Sequence, residues 1–166
     1  MNHHNAPQDE PAEHLRFAAH LSDLEQVSDA DEADLVSEVL TDPDQTMAQS
    51  AVLRHLDRRA TDIHPGPAYE PWAEWMTQVT ARHPVLTRRL QEWSLFRAIA
   101  LGQSWRRDAL LESSDWLQLK TAAGPNTEAV EVLVEHGRTK RIRNTARINL
   151  TQSSRRSAAT QRIHRP

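Results

Sequence analysis

The sequence predicts an all-α fold, an irregular helical bundle or short α-solenoid of about eight helices with disordered termini. Three observations predict it. The helix formers Leu, Ala, Arg and Glu dominate the composition. Only four glycines occur in 166 residues, each near an expected helix end or turn, too few for tight hairpins, phosphate loops or dinucleotide folds. Apolar residues recur at i, i+3, i+4 and i+7 through most of the chain.

A chain of this length buries roughly 70% of the surface its unfolded form exposes, so one core is self-sufficient. The reading is of a single helical domain over residues 10–150, a disordered leader over 1–9 and a basic disordered tail over 151–166. Cysteine is absent, which removes disulfides, thiolate metal sites and a cysteine nucleophile. The polar start MNHHNAPQDEPAEH lacks the apolar core of a secretory leader. No apolar run approaches the ~20 residues of a membrane span. A soluble cytoplasmic protein with no membrane partner is the expectation.

The elements follow in order. His3 and His4 lie in the leader without a ligand at helical spacing and are assigned to an exposed tail. From about Pro11, Leu15, Phe17, Ala18, Leu21 and Leu24 make the apolar side of a first helix, with His14 and His20 at its edge. Ser28-Asp29-Ala30-Asp31-Glu32 reads as a helix N-terminus, where acids favour the positive end of the dipole. It lacks the glycine and distal Glu of a calcium loop. Leu35, Val36, Val39 and Leu40 form the buried face that follows.

Thr41-Asp42-Pro43-Asp44 stops that helix and caps the next, which runs from about Gln45 to Ala60 with Ala48, Val52 and Leu56 inward. Asp62–Pro67, DIHPGP, breaks the chain direction. Trp72, Trp75, Met76 and Val79 then make an amphipathic stripe, read as core because no Lys or Arg is interleaved with the rings. After His83-Pro84, a helix bearing Leu86, Leu90, Trp93, Leu95, Phe96 and Ile99 is apolar on most sides and belongs at the centre of a bundle. Arg88 and Arg89 mark its wet face. Gly102-Gln103-Ser104 ends that helix and caps a shorter one holding Trp105, Ala109 and Leu110. Asn126-Thr127 caps a helix burying Val130, Leu133 and Val134, and Gly137 ends it as a left-handed C-terminal cap.

The stretch VLTDPDQTMAQSAVLRHL, from Val39 to Leu56, resembles the core of a HEAT-type α-helical repeat. The stretch from Asp115-Trp116 through Ala122-Ala123 resembles the start of a HEAT-like or variant leucine-rich repeat. The two copies lie too far apart for a regular array, and His136-Gly137-Arg138 stands where the first copy has Asp-Pro-Asp. The resemblance implies a helical scaffold that binds something along one face.

There is no His-Glu-x-x-His, no G-x-S-x-G elbow and no Walker sequence. No catalytic residue, cofactor or metal site is assigned, and the chain reads as non-enzymatic. Charge is the more informative signal. Met1 to Gly137 carries 23 acidic and 11 basic residues, whereas Arg138 to Pro166 carries nine basic and none acidic. Arginine outnumbers lysine eighteen to two, which suits phosphate or carboxylate recognition.

On a helical wheel, Lys140, Arg143, Asn144 and Arg147 share an arc of about 100°, with Ile142, Ala146 and Leu150 opposite. Two functions follow. The first is a helical adaptor that holds another macromolecule, a protein, on a helical face. The second is a nucleic-acid-binding protein, DNA or RNA, using Lys140, Arg141, Arg143 and Arg147, with Arg155, Arg156, Arg162 and Arg165 extending the contact. A helix-turn-helix with Lys140–Leu150 as recognition helix is its specific form, opposed by Arg138 where an apolar residue is usual. The basic end also complements the acidic Asp29–Asp44 region, an arrangement that suits self-association.

Overall fold

A computed structural model describes residues 12–163; the leader, with His3 and His4, and Arg165 lie outside the described residues. Among those described there are nine helices and no strand, so the all-α expectation holds. Against the single domain expected over residues 10–150, the helices gather into two compact units that divide between Leu90 and Gln91. The division falls inside a helix rather than at the proline-rich loop 62–67. A helix apolar on most sides can supply both cores: the Leu90 carbonyl accepts a hydrogen bond from Tyr69 in the first unit, while Ile99 sits in the core of the second.

The first unit holds α1 (Ala12–Gln26), α2 (Glu32–Val39), α3 (Gln45–Ile63), α4 (Tyr69–Val79) and the start of α5 (Pro84–Ala100). Asp44 caps α3 by accepting the Met47 N–H at 3.0 Å. Val36, Val52, Leu56 and Met76 are sealed from solvent, each contributing about 1.5–3 kcal/mol by burial. The α4 stripe is narrower than its spacing predicts. Trp72 and Met76 are buried, but Trp75 is 47% exposed, and on α1 Leu24 is buried while Leu15 is exposed.

The second unit continues α5 and adds α6 (Arg107–Glu112), α7 (Asp115–Ala122), α8 (Thr127–His136) and α9 (Lys140–Ile163). Gly102, at φ 67°, makes the left-handed turn out of α5. Ser114 caps α7 and Asn126 caps α8, and the Asn126 amide also donates to the Ile99 carbonyl at 2.8 Å. Leu110, Ala122, Ala129, Val130, Leu133, Ile142 and Ala146 surround Ile99 as one core. Lys120 lies 4.8 Å from the ring centres of both Trp93 and Phe96, a cation–π contact worth about 0.5–1 kcal/mol.

Residues 151–163, expected to lack structure, are the second half of α9. The docked first half supplies the costly helical nucleus, so each further residue only propagates it. No glycine or proline intervenes between Thr139 and Ile163. Every side chain from Thr151 to Ile163 is exposed. No helix among the described residues is long and apolar enough to cross a membrane.

Candidate nucleic-acid interface

The basic helix is positioned by its junction with α8. Thr139 caps α9, its hydroxyl accepting the Ile142 N–H at 3.2 Å. Gly137 ends α8 with φ −53° and ψ 135°, so the left-handed cap expected there is not formed. Glycine is needed for a different reason. A Cβ at this position would lie 2.6 Å from the Leu133 carbonyl oxygen and 2.8 Å from Ile142 Cγ2, so a methyl group would separate the two helices.

Arg138, which counted against a helix-turn-helix, anchors the junction by polar contacts. Its N–H donates to Gln118 Oε1 at 3.0 Å, and its guanidinium reaches Asp115 at 2.6 Å and the Leu111 and Ser113 carbonyls. Further along, the Asn149 amide donates to the carbonyls of Ala122 and Gly124. Ile142 and Ala146 are buried in the core. One side of α9 is thus held at several points between Ile142 and Leu150.

The remaining circumference is cationic. At about 100° per residue, Lys140, Arg141, Arg147, Arg155 and Arg162 fall within an arc of about 120° facing away from Ile142 and Ala146. All five are exposed. Arg156 turns off this arc but lies where the whole helix is exposed. Arg143 is drawn inward: it is half-buried and donates to the Gly137 carbonyl at 2.8 Å. The helix contains no Asp or Glu. Among the described residues, the exposed cations of α9 make one side-chain hydrogen bond, Arg147 to Asn144 at 2.9 Å, and none of them meets a carboxylate.

The first unit contains the feature that the sequence reading missed. Glu32 is 2% exposed and accepts from His55 Nε2 at 2.7 Å, Trp72 Nε1 at 3.0 Å and Arg59 Nε at 3.3 Å. Burial pushes its pKa up, but the hydrogen bonds from His55 and Trp72 and the charge of Arg59 outweigh that and leave it below the ordinary value. Spacing held a clue, since His55 follows Val52 at i+3 on the buried side of α3.

His55 also borders a cleft of about 220 Å³ lined with Leu21, Leu24, Arg54 and Arg58. It has no free nitrogen there: Nδ1 accepts from Arg58 at 3.2 Å while Nε2 donates to Glu32. Arg58 in turn donates to the Leu24 carbonyl at 2.8 Å, near the end of α1. A pair so fully engaged orients helices and offers no base to a substrate. A second cluster joins α1 to the α2–α3 turn, where buried Asp42 accepts from His20 at 3.0 Å and Arg16 at 3.3 Å. Among the described residues no group of three or more His, Asp or Glu side chains is arranged to hold a metal ion.

No family model, curated protein or solved structure matches this chain.

Proposed function

We propose that this protein is a non-enzymatic nucleic-acid-binding protein and that α9 is its contact element. One observation carries the reading: a 24-residue helix without a carboxylate displays Lys140, Arg141, Arg147, Arg155, Arg156 and Arg162 to solvent. Elsewhere in the chain several arginines are paired with acids, as Arg59 is with Glu32 and Arg89 with Asp57. Cations left without carboxylates on a rigid helix suit a polyanion whose bound counterions they release.

Gel-shift or anisotropy titration at two salt concentrations tests the reading. About six phosphate contacts give a slope of log K against log salt near −5, or about a thousandfold loss between 50 and 200 mM. Failure to bind either DNA or RNA at about 50 mM salt would overturn it.

A second reading, a HEAT-like adaptor with a protein partner, is supported by Trp75, an aromatic of the type that anchors interfaces, standing 47% exposed on α4. Trp75→Ala would then abolish protein capture without changing nucleic-acid affinity.

A further inference from the structure

Which nucleic acid α9 takes is decided by what the helix carries and what it lacks. Between Lys140 and Ile163 there is no Trp, Tyr or Phe. Single strands are held by aromatic platforms on which successive bases stack, and α9 offers none. Its cations instead sit on a straight rod: Lys140, Arg147, Arg155 and Arg162 recur at intervals of seven and eight residues, spanning about 33 Å at 1.5 Å per residue. That is close to one turn of a duplex, about 34 Å.

The two halves of the rod differ. Up to Leu150 one side of α9 is covered by its own unit, through Ile142, Ala146 and the Asn149 amide. From Thr151 to Ile163 every side chain is exposed, so this half is open all round. There Arg155 and Arg156 diverge by about 100°, directing their guanidinium groups to two sides of the helix. Gln152, which falls on the arc between them, adds a group that both donates and accepts hydrogen bonds.

Resting on the nucleic-acid reading above, we infer that residues 151–163 of α9 enter the major groove of double-stranded DNA. The groove of B-form DNA is about 12 Å wide and admits an α-helix of about 10–12 Å diameter. Guanidinium groups leaving the helix on two sides reach the phosphates of both walls, while Gln152, on the arc between them, faces base edges. The deep, narrow major groove of A-form RNA excludes a helix. Lys140, Arg141 and Arg147 on the docked half then meet the flanking backbone.

The test uses the full chain, anisotropy at about 50 and 200 mM salt, and three labelled probes of one sequence: a DNA duplex of about 20 base pairs, its single strand and the corresponding RNA duplex. The DNA duplex is expected to bind at least about tenfold more tightly than either other probe. Arg155→Gln with Arg156→Gln should weaken duplex binding about tenfold and make the salt slope shallower by about 2. Ala158→Pro removes no charge but breaks the exposed half of the helix, and should weaken duplex binding as much; circular dichroism verifies that both variants keep the rest of the fold.

Equal affinity for single and double strands, or an Ala158→Pro variant that binds the duplex like the parent, would overturn the groove inference and leave nucleic-acid binding standing. Binding to none of the probes, or tighter binding to polyglutamate than to the duplex, would overturn both.

Discussion

Glu32 in α2 and Arg155 in α9 are both charged residues on helices, and their surroundings are opposite. Glu32 is 2% exposed and gathers hydrogen bonds from His55, Trp72 and Arg59, so its charge is used up within the fold. Arg155 is exposed on a helix without a carboxylate, so its charge is available to something else. A buried charge persists only when partners replace its lost water. An exposed one persists at little cost in either direction. The comparison predicts that substitutions at the first kind of position move stability, and that those at the second move binding.

The largest effect is expected at Glu32. Glu32→Ala leaves the N–H groups of His55 and Trp72 without an acceptor and the part-buried Arg59 with Asp29 as its remaining carboxylate, and should destabilise the first unit by about 3–5 kcal/mol. Urea unfolding followed by tryptophan fluorescence checks it. A change below about 1 kcal/mol would mean that the network is not built as described.

Gly137→Ala should come next. The added methyl meets the Leu133 carbonyl and Ile142 at distances no side chain tolerates, and overpacking of this kind costs about 1–3 kcal/mol. Because φ at Gly137 is −53°, the cost arises from the approach of α9 to α8 and not from backbone conformation. The shift is read as a lower urea midpoint with an unchanged m value.

These two positions also show where the sequence was and was not legible. Local rules found the caps Asp44 and Asn126 and the buried Trp72 and Met76, because each depends on neighbours within a turn or two. Glu32 was assigned to helix-dipole complementarity, since its real partners lie 23, 27 and 40 residues away and no local pattern joins them. Gly137 was placed at the right helix end with the wrong conformation, because spacing does not tell close approach from positive φ. The tail was read as structureless from its missing apolar period, which overlooks propagation from a docked helix. The charge division at Arg138 was plain from composition, whereas which cations the fold consumes, Arg138 and Arg143, required the structure.

Acid sharpens the comparison at a smaller scale. The pKa of Asp42 is lowered by the hydrogen bonds from His20 and the Asp44 N–H and by Arg16, and that of Glu32 is lowered despite burial. A carboxylate with a depressed folded pKa binds more protons unfolded than folded, so its stabilisation is present above the unfolded value and lost as pH falls through the folded one. The melting temperature should therefore hold from pH 7 down to the ordinary values of 4.5 and 3.8 and decline below them. Glu32→Gln should decline less steeply. Equal slopes for parent and variant would remove Glu32 from the acid transition.

The smallest stability effects are expected within α9, where the comparison can be made between residues a few positions apart. Arg143 is half-buried and holds the Gly137 carbonyl, so Arg143→Gln should cost about 1 kcal/mol. Lys140 and Arg147 are exposed; Lys140→Gln with Arg147→Gln should stay within about 0.5 kcal/mol of the parent. The same double variant should make the salt slope of nucleic-acid binding shallower by about 2. Stability and binding would thus separate along a single helix, with Arg143 serving the fold and its neighbours serving the ligand. If the double variant lost stability and kept its slope, the exposed cations would belong to the fold after all.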